Sequence, residues 1–375
     1  MSTSRPANRE GFEIALICAL PLEFDAVSLI FDEFWDAEGD QYGRASGDYN
    51  SYVTGRVGKF NVVVVLLSQM GKRASSSASA SIRSSYTRIQ LALLVGICGA
   101  IPCVRDGKKL PLRLGDVVIS KSVVQYDFGR QYPDEFVRKN TFEDNLGKAT
   151  SDLRGLLVTF ETSYGLERLR AQTSHAFARL QVAASKKGQS AKYERPETPH
   201  DGISEHPVQS EEWDLALVAD TPAIHIGSFA SGDMVMKSKD HRDRIARVEG
   251  VIAFEMEGAG VWEELPCLIV KGICDYADIR KEKRWQNCAA AAAASVCRAI
   301  LECYARSDKT TTDVPQMPTG RQLGSRYVGK IIGQDVKQGN EMEARRPGHY
   351  TQEGSTFEGE IQVAGSVFQG NKAIF

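Results

Sequence analysis

Dense apolar runs alternate with helix-patterned stretches from residue 12 to residue 306. Residues 12–20, "FEIALICAL", form a continuous apolar run of buried-strand length. "PLEFDAVSLIFDEF" then carries apolar residues at helical spacing, with Phe24, Val27, Leu29 and Ile30 on one side. "NVVVVLLS" (61–68) is β-branched and apolar, as in a strand covered on both faces. "MGKRASSSASASIRSSY" reads as a Ser/Ala-rich helix opened by a glycine. Further buried strands are predicted over 90–100, 114–124, 225–236 and 267–278, and an Ala-rich helix over 287–305. Such alternation predicts an α/β fold, three-layer α/β/α, around a mixed, largely parallel sheet. In such sheets ligands sit outside the carboxyl ends of the strands, where Gly96 and Gly99 fall here.

The pattern breaks twice. Residues 136–222 carry charged helical patterning (152–187) and then a polar, Pro-bearing stretch, read as an insertion or mobile loop within one domain spanning 12–306. Residues 307–322 have the Pro, Thr and Asp content of a linker. Beyond it, within 323–375, "GSRYVGKIIGQDVKQGN" (324–340) and "GSTFEGEIQVAGSVFQGN" (354–371) repeat one pattern. Val328, Ile331 and Val336 align with Glu358, Ile361 and Val367. A unit this short cannot bury its own face, so the repeat implies stacking.

Composition narrows the function. With 42% hydrophobic and 25% charged residues, the chain is globular and long enough for a substantial core. A formal net charge of −2 argues against nucleic-acid binding by phosphate neutralisation. No apolar run reaches the roughly 18–20 residues of a membrane span. The polar start lacks an apolar leader region, so a cytoplasmic protein is expected. Eight cysteines include no C-x-x-C pair and six histidines show no metal spacing, so free buried thiols and neither metal nor cofactor are expected. Signatures of P-loop NTPases, dinucleotide-binding folds, zinc proteases and serine hydrolases are absent.

What remains is acidic. Glu23 follows the first strand, Glu255 and Glu257 mark a strand-to-helix junction, and Asp233 and Asp275 end strands. Carboxylates at strand ends of one parallel sheet converge on one crevice. A carboxylate accepts two hydroxyl hydrogen bonds at once, which suits a ribose diol. Another takes a proton from water, and a protonated third gives one to a leaving group. Breaking a glycosidic bond needs that combination. Each acid also has a plainer reading, as a first-turn or capping carboxylate of the following helix.

The ordered set "ALPLE" (19–23), "GICGA" (96–100), "LGDVVIS" (114–120), "SGDMVM" (231–236), "FEMEGAG" (254–260) and "KGICDYAD" (271–278) resembles the nucleoside phosphorylase/nucleosidase superfamily across about residues 12–306. "GICDYAD" with the Ala-rich helix after it resembles a subgroup found in fungal signalling proteins. The resemblance implies a nucleoside phosphorylase-like fold and a nucleoside or nucleotide ligand. By position, Glu257 would hold the ribose 2′ and 3′ hydroxyls and Met256 would pack on the sugar. Glu255 would be structural or touch a ribose hydroxyl. Asp275 would protonate the purine at N7, and Glu23 would activate water. Cys98 and Gly99 would lie near the base or sugar. Val235 stands where nucleosidases of the family often stack an aromatic ring, and Lys271 replaces a common arginine that orients the acidic residue. The run Arg280, Lys281, Lys283, Arg284 is either a solvated face or, with Arg242 or Lys237, a contact for a 5′-phosphate chain. The Gly-Asp-Pro phosphate loop of many phosphorylases is absent and Arg73 is the nearby candidate, so water is favoured over phosphate as nucleophile. A phosphorylase and a catalytically silent nucleoside sensor remain alternatives.

The paired C-terminal motifs resemble HET-s-type prion-forming regions. In that family the two repeats stack as layers of a β-solenoid that templates onto other copies. This tail is therefore expected to be disordered or a β-solenoid, with the whole chain a homo-oligomer. An NLR-like receptor carrying a similar motif would be its partner in a signalling or cell-death pathway.

Overall fold

A computed structural model describes residues 5–102, 111–141, 143–196, 221–281 and 283–305, together with strand segments between 319 and 374. The chain divides into two compact units, Met1–Ala305 and Arg306–Phe375.

In the first unit β1 (Ile14–Cys18) leads through α1 (Pro21–Ser28) to β2 (Glu33–Phe34), β3 (Tyr52–Val57) and β4 (Phe60–Leu66). Then come α2 (Lys72–Ser85), β5 (Leu91–Ala100), β6 (Val117–Gln125) and a small hairpin, β7 (Gly129–Gln131) and β8 (Phe136–Arg138). Helices α3 (Ser151–Phe160), α4 (Ser163–Lys186) and α5 (Ser190–Tyr193) precede β9 (Ile224–Ser231). The unit ends with α6 (Lys239–Glu249), β10 (Val251–Glu255), α7 (Gly258–Glu264), β11 (Cys267–Asp275) and α8 (Gln286–Cys303).

The sheet runs β10-β9-β6-β11-β5-β1-β4-β3-β2 and is mixed, as expected. β1 is parallel to β4 and β5, and β5 to β11. β11 is antiparallel to β6. β10 pairs with β9 and also closes back onto β5, Ala253 opposite Ala100 and Phe254 opposite Gly99. The strand ends are thereby curled into a ring around one crevice.

Alternate strand residues face opposite layers. Leu16, Val64 and Leu93 pack with α1, α4 and α8, while Ile17, Val65 and Leu94 pack with α2 and α7. Both faces are covered, which is why these runs are continuously apolar. Gly272 brings β11 against α8, because a Cβ there would collide with the carbonyl of Ala289. Within the stretch read as an insertion, Leu153, Leu157, Phe160, Leu169, Leu180 and Tyr193 of α3–α5 are buried in this same core. Its remainder, 197–220, lies outside the described residues. Six cysteines (Cys18, Cys98, Cys267, Cys274, Cys288 and Cys297) are buried free thiols, and Cys303 is free and partly buried. No helix among the described residues is long and apolar enough to cross a membrane.

The second unit contains β12 (Thr319–Leu323), β13 (Tyr327–Val328), β14 (Ile331–Gly333), β15 (Val336–Gln338), β16 (His349–Glu353), β17 (Phe357–Glu358), β18 (Ile361–Val363), β19 (Val367–Gln369) and β20 (Lys372–Ile374). The two repeats pair in parallel, Val328 opposite Glu358, Ile331 opposite Ile361 and Val336 opposite Val367. Pairing begins before the repeat read from the sequence, at Thr319 opposite His349. β20 lies antiparallel on β19. Residues 307–318 of the linker lie outside the described residues.

Candidate active site

A cavity of about 450 Å³ opens at the carboxyl ends of β1, β5, β10 and β11. Glu23, Cys98, Gly99, Val235, Glu255, Met256, Glu257 and Asp275 all line it.

Pro21 starts α1, so Glu23 sits in the first turn and folds back onto the backbone. Its Oε2 accepts from the N–H groups of Ala19 and Leu20 at 2.8 and 2.9 Å. Its Oε1 accepts from Ile97 at 2.8 Å. Gly96 admits this approach, since a Cβ there would overlap the carboxylate. Burial raises the Glu23 pKa, with Lys271 opposing the rise and Glu257 adding to it.

The apolar run of β10 ends in Glu255, and the two glutamates then divide. Oε2 of Glu255 accepts from the N–H groups of Glu257 and Gly258, at 2.9 and 2.7 Å, and so tethers the start of α7. Its other oxygen makes no hydrogen bond of normal geometry. Burial, then the charge of Glu257, pushes the Glu255 carboxyl up to about 7. Glu257 lines the cavity beside it, accepting from Gly71 N–H at 3.2 Å. Gly71, at φ +106°, adopts a backbone conformation open to glycine as it enters α2.

Fully buried Lys271 lies 3.8 Å from Glu23 and 3.5 Å from Glu257. Burial would lower its pKa, but Glu23, Glu257 and Glu255 outweigh this and hold it above its ordinary value. The expected arginine role, orienting Asp275, is not what Lys271 does here: its contacts are the two glutamates.

Asp275 emerges where the pairing of β11 with β5 slips, between Ile273 and Asp275. This bulge turns the next side chain toward the cavity. Oδ1 accepts from Ala277 N–H at 2.7 Å, and Oδ2 lies 3.4 Å from the Cys274 thiol and 3.3 Å from Lys281 Nζ. Ala277 sits at φ +50°, a strained conformation for a residue with a side chain, and it closes the turn around the carboxylate. A Cβ at Gly99 would stand 2.8 Å from Asp275 Oδ1, so the glycine leaves room for that oxygen.

The three arginines read as 5′-group candidates are elsewhere. Arg242 is buried, donating to the Tyr276 carbonyl at 2.5 Å and to Asp243 at 2.8 Å, so it braces the turn behind Asp275. Arg280 is exposed, 3.8 Å from Asp278. Arg284 is exposed and outside the lining. Lys237, Lys281 and Lys283 line the cavity instead. Arg73 does not line it. Asp233 has a structural place, accepting from Lys72 N–H at 2.8 Å at the start of α2.

A profile of the phosphorylase superfamily matches residues 13–304. The chain belongs to the phosphorylase superfamily. This superfamily member is 29% identical over 311 residues to a nucleotide-binding leucine-rich repeat (NLR)-like protein of Hyaloscypha variabilis, covering 78% of this chain and 29% of that one. It is 23% identical over 295 residues to the ATP nucleosidase Cap17 of Escherichia coli, covering 77% and 51%. It thus spans about half, or less, of the length of these relatives. Among solved structures it matches a 5′-methylthioadenosine/S-adenosylhomocysteine nucleosidase from S. pneumoniae at 18% identity and TM-score 0.49, covering 78% and 99%. It also matches the futalosine hydrolase of Helicobacter pylori at 16% identity and TM-score 0.47, covering 78% and 98%.

The cavity also contains residues that the sequence does not single out for it, among them Met70, Met234, Phe254, Cys274 and Ile279. Met234 and Ile279 are exposed at 53% and 85%, a rim that strand patterning does not reveal. Lys281 and Lys283 were visible as part of a basic run. Which members of that run face inward depends on the turn after β11.

Proposed function

We propose that the chain hydrolyses the N-glycosidic bond of a purine nucleoside or nucleotide. One observation carries this reading: Glu23, Glu257 and Asp275, from three separate segments, converge on one cavity at the strand ends. Glu257 accepts hydrogen bonds from the ribose diol, with Met256 against the sugar. Asp275, as a carboxylic acid, gives its proton to N7 of the purine while the C1′–N9 bond breaks. A 6-aminopurine leaves poorly as an anion, so this proton is needed. The sugar develops positive charge at C1′, as in other glycosidic cleavages. Three buried carboxyl groups, Glu23, Glu255 and Glu257, beside one buried cation, Lys271, suit that charge. Glu23 keeps an unused lone pair on Oε1 beside Lys271 and takes the proton of the attacking water. Its raised pKa makes it a better base. Val235, half-exposed, offers an apolar contact for the base where a ring would stack. The similarity to a protein named as an ATP nucleosidase supports the substrate class.

We further propose that the C-terminal repeats control this activity by assembly. Their in-register parallel pairing supports an amyloid-type ladder that a second copy, or an NLR-like receptor with a similar motif, extends. The setting proposed is cytoplasmic, in a signalling or cell-death pathway.

The test is release of free adenine from adenosine, methylthioadenosine, AMP and ATP, each with and without phosphate. Adenine without phosphate is expected, and Asp275→Asn should lower kcat by roughly 10²–10⁴-fold. Release that requires phosphate would make the chain a phosphorylase. No release from any substrate, with seeded tail included, would make it a sensor.

A further inference from the structure

Lys72 opens α2 and is pinned through both its main chain and its side chain. Its N–H donates to Asp233 Oδ1 at 2.8 Å. Its Nζ stands 2.5 Å from Asp127 Oδ1 and 3.7 Å from Asp233 Oδ2. The N–H of Asp233 donates to the other oxygen of Asp127, at 2.8 Å. One lysine and two carboxylates thereby clasp together the segments that follow β4, β6 and β9. The side chains of Lys72 and Asp127 are largely covered, so solvent screens their attraction weakly. None of the three residues lines the cavity, but the clasp reaches it through its neighbours, since Met70 and Met234 both line it. Gly71, between Met70 and Lys72, gives its N–H to Glu257 Oε1 at 3.2 Å. A Cβ at Gly71 would stand 2.8 Å from Asp233 Oδ1, so the clasp closes only over a glycine. Oε2 of Glu257 lies 3.5 Å from Lys271 Nζ, so each oxygen of this carboxylate has a fixed partner.

We propose that Lys72, gripped by Asp127 and Asp233, is a positioning residue that makes the cavity selective for a ribose carrying both its 2′ and 3′ hydroxyls. The clasp sets where Gly71 stands, Gly71 sets Oε1 of Glu257, and Lys271 sets Oε2. A carboxylate fixed at both oxygens keeps a lone pair on each for two adjacent hydroxyls. Without the clasp, Gly71, at φ +106°, loses the support beside it, and Glu257 is left to turn toward Lys271 alone. The inference rests on the reading above that Glu257 holds the ribose diol, and it is independent of which nucleophile attacks C1′. Lys72 pairs with Asp127 and Asp233 and not with Glu23 or Asp275, so it acts on the sugar and not on the proton transfers.

The experiment sets adenosine against 2′,3′-dideoxyadenosine, and ATP against its 2′,3′-dideoxy form. It uses the full chain and its Lys72→Met, Lys72→Arg and Asp127→Asn variants, and reads kcat and KM for adenine release and the Kd of each compound by calorimetry. In the unaltered chain the compound with both hydroxyls should bind and react better. Lys72→Met should raise KM and Kd for that compound roughly tenfold or more, the worth of one hydrogen bond to a charged group, and leave its dideoxy form within about twofold. The pH profile of kcat should not move. Lys72→Arg, which keeps the charge, should recover most of the preference, and Asp127→Asn should lose it as Lys72→Met does. Equal losses for both members of a pair, in step with a lower urea midpoint, would reduce Lys72 to a stabilising ion pair and overturn the proposal. An unchanged preference in Lys72→Met would overturn it as well. If the unaltered chain binds these compounds but releases no adenine, the hydrolase reading fails, and the Kd ratios still decide the role of Lys72. A chain that binds no member of either pair would overturn both.

Discussion

Glu255 and Glu257 stand two positions apart and face different demands. Glu255 tethers the backbone of Glu257 and Gly258 and is buried at the cavity wall, whereas Glu257 reaches Lys271 and Gly71. The cost of the first arrangement depends on pH. The Glu255 carboxyl is raised from 4.5 to about 7, so its folded form prefers the proton. Its contribution to stability is complete below about pH 4.5 and is lost as pH rises through about 7. Glu255→Gln keeps an oxygen for both N–H groups and removes the titration. Its urea midpoint should match that of the unaltered chain near pH 4.5 and exceed it at pH 8, by on the order of 2 kcal/mol in unfolding free energy. Parallel pH profiles for the two proteins would refute this account.

Elements matter through how closely they approach. β11 and α8 touch at Gly272, where a methyl group would meet the Ala289 carbonyl. The alanine run of α8, fully buried from Ala289 to Ala294, lets the helix lie flat against the sheet. Gly272→Ala must push the helix away or shift β11, and it should cost about 1–3 kcal/mol, by overpacking. Because β11 ends in Asp275, turnover should fall along with the denaturation midpoint. Unchanged stability would mean that the contact relaxes freely. The strands of this layer were legible in the sequence, since a run apolar at every position can only be buried on both faces. Strands β3 and β10 were less legible. β3 carries Thr54, Gly55 and Arg56, and β10 is five residues merging into the acidic junction.

At the scale of the whole molecule, the two compact units predict separable behaviour. A chain ending at Ala305 should unfold with the same cooperativity as the first unit of the full chain and should not assemble. The full chain should form fibres detectable by sedimentation and dye binding. Fibres from the shortened chain would place assembly in the first unit and remove the tail from the proposal. The repeat alignment was legible at this scale because the two segments share glycine, aromatic and aliphatic positions. The added pairing of Thr319–Leu323 with His349–Glu353 was not, because those strands match at a single position, Gln322 opposite Gln352.

Sequence alone determined the α/β class, the layer of buried strands, the acidic residues that line the cavity and the paired repeats. Those follow from local pattern and residue chemistry, which the chain carries at every position. Tertiary structure decided which neighbours those residues have. It set Lys271 against Glu23 and Glu257 instead of Asp275, spent Arg242 on the Tyr276 carbonyl, and turned the lysines of the basic run inward while Arg280 and Arg284 faced outward. Each outcome depends on strand register, on a bulge at Cys274 and on a turn held by one strained alanine. Those are fixed by contacts between segments far apart in the chain, and a single sequence read along its length does not contain them.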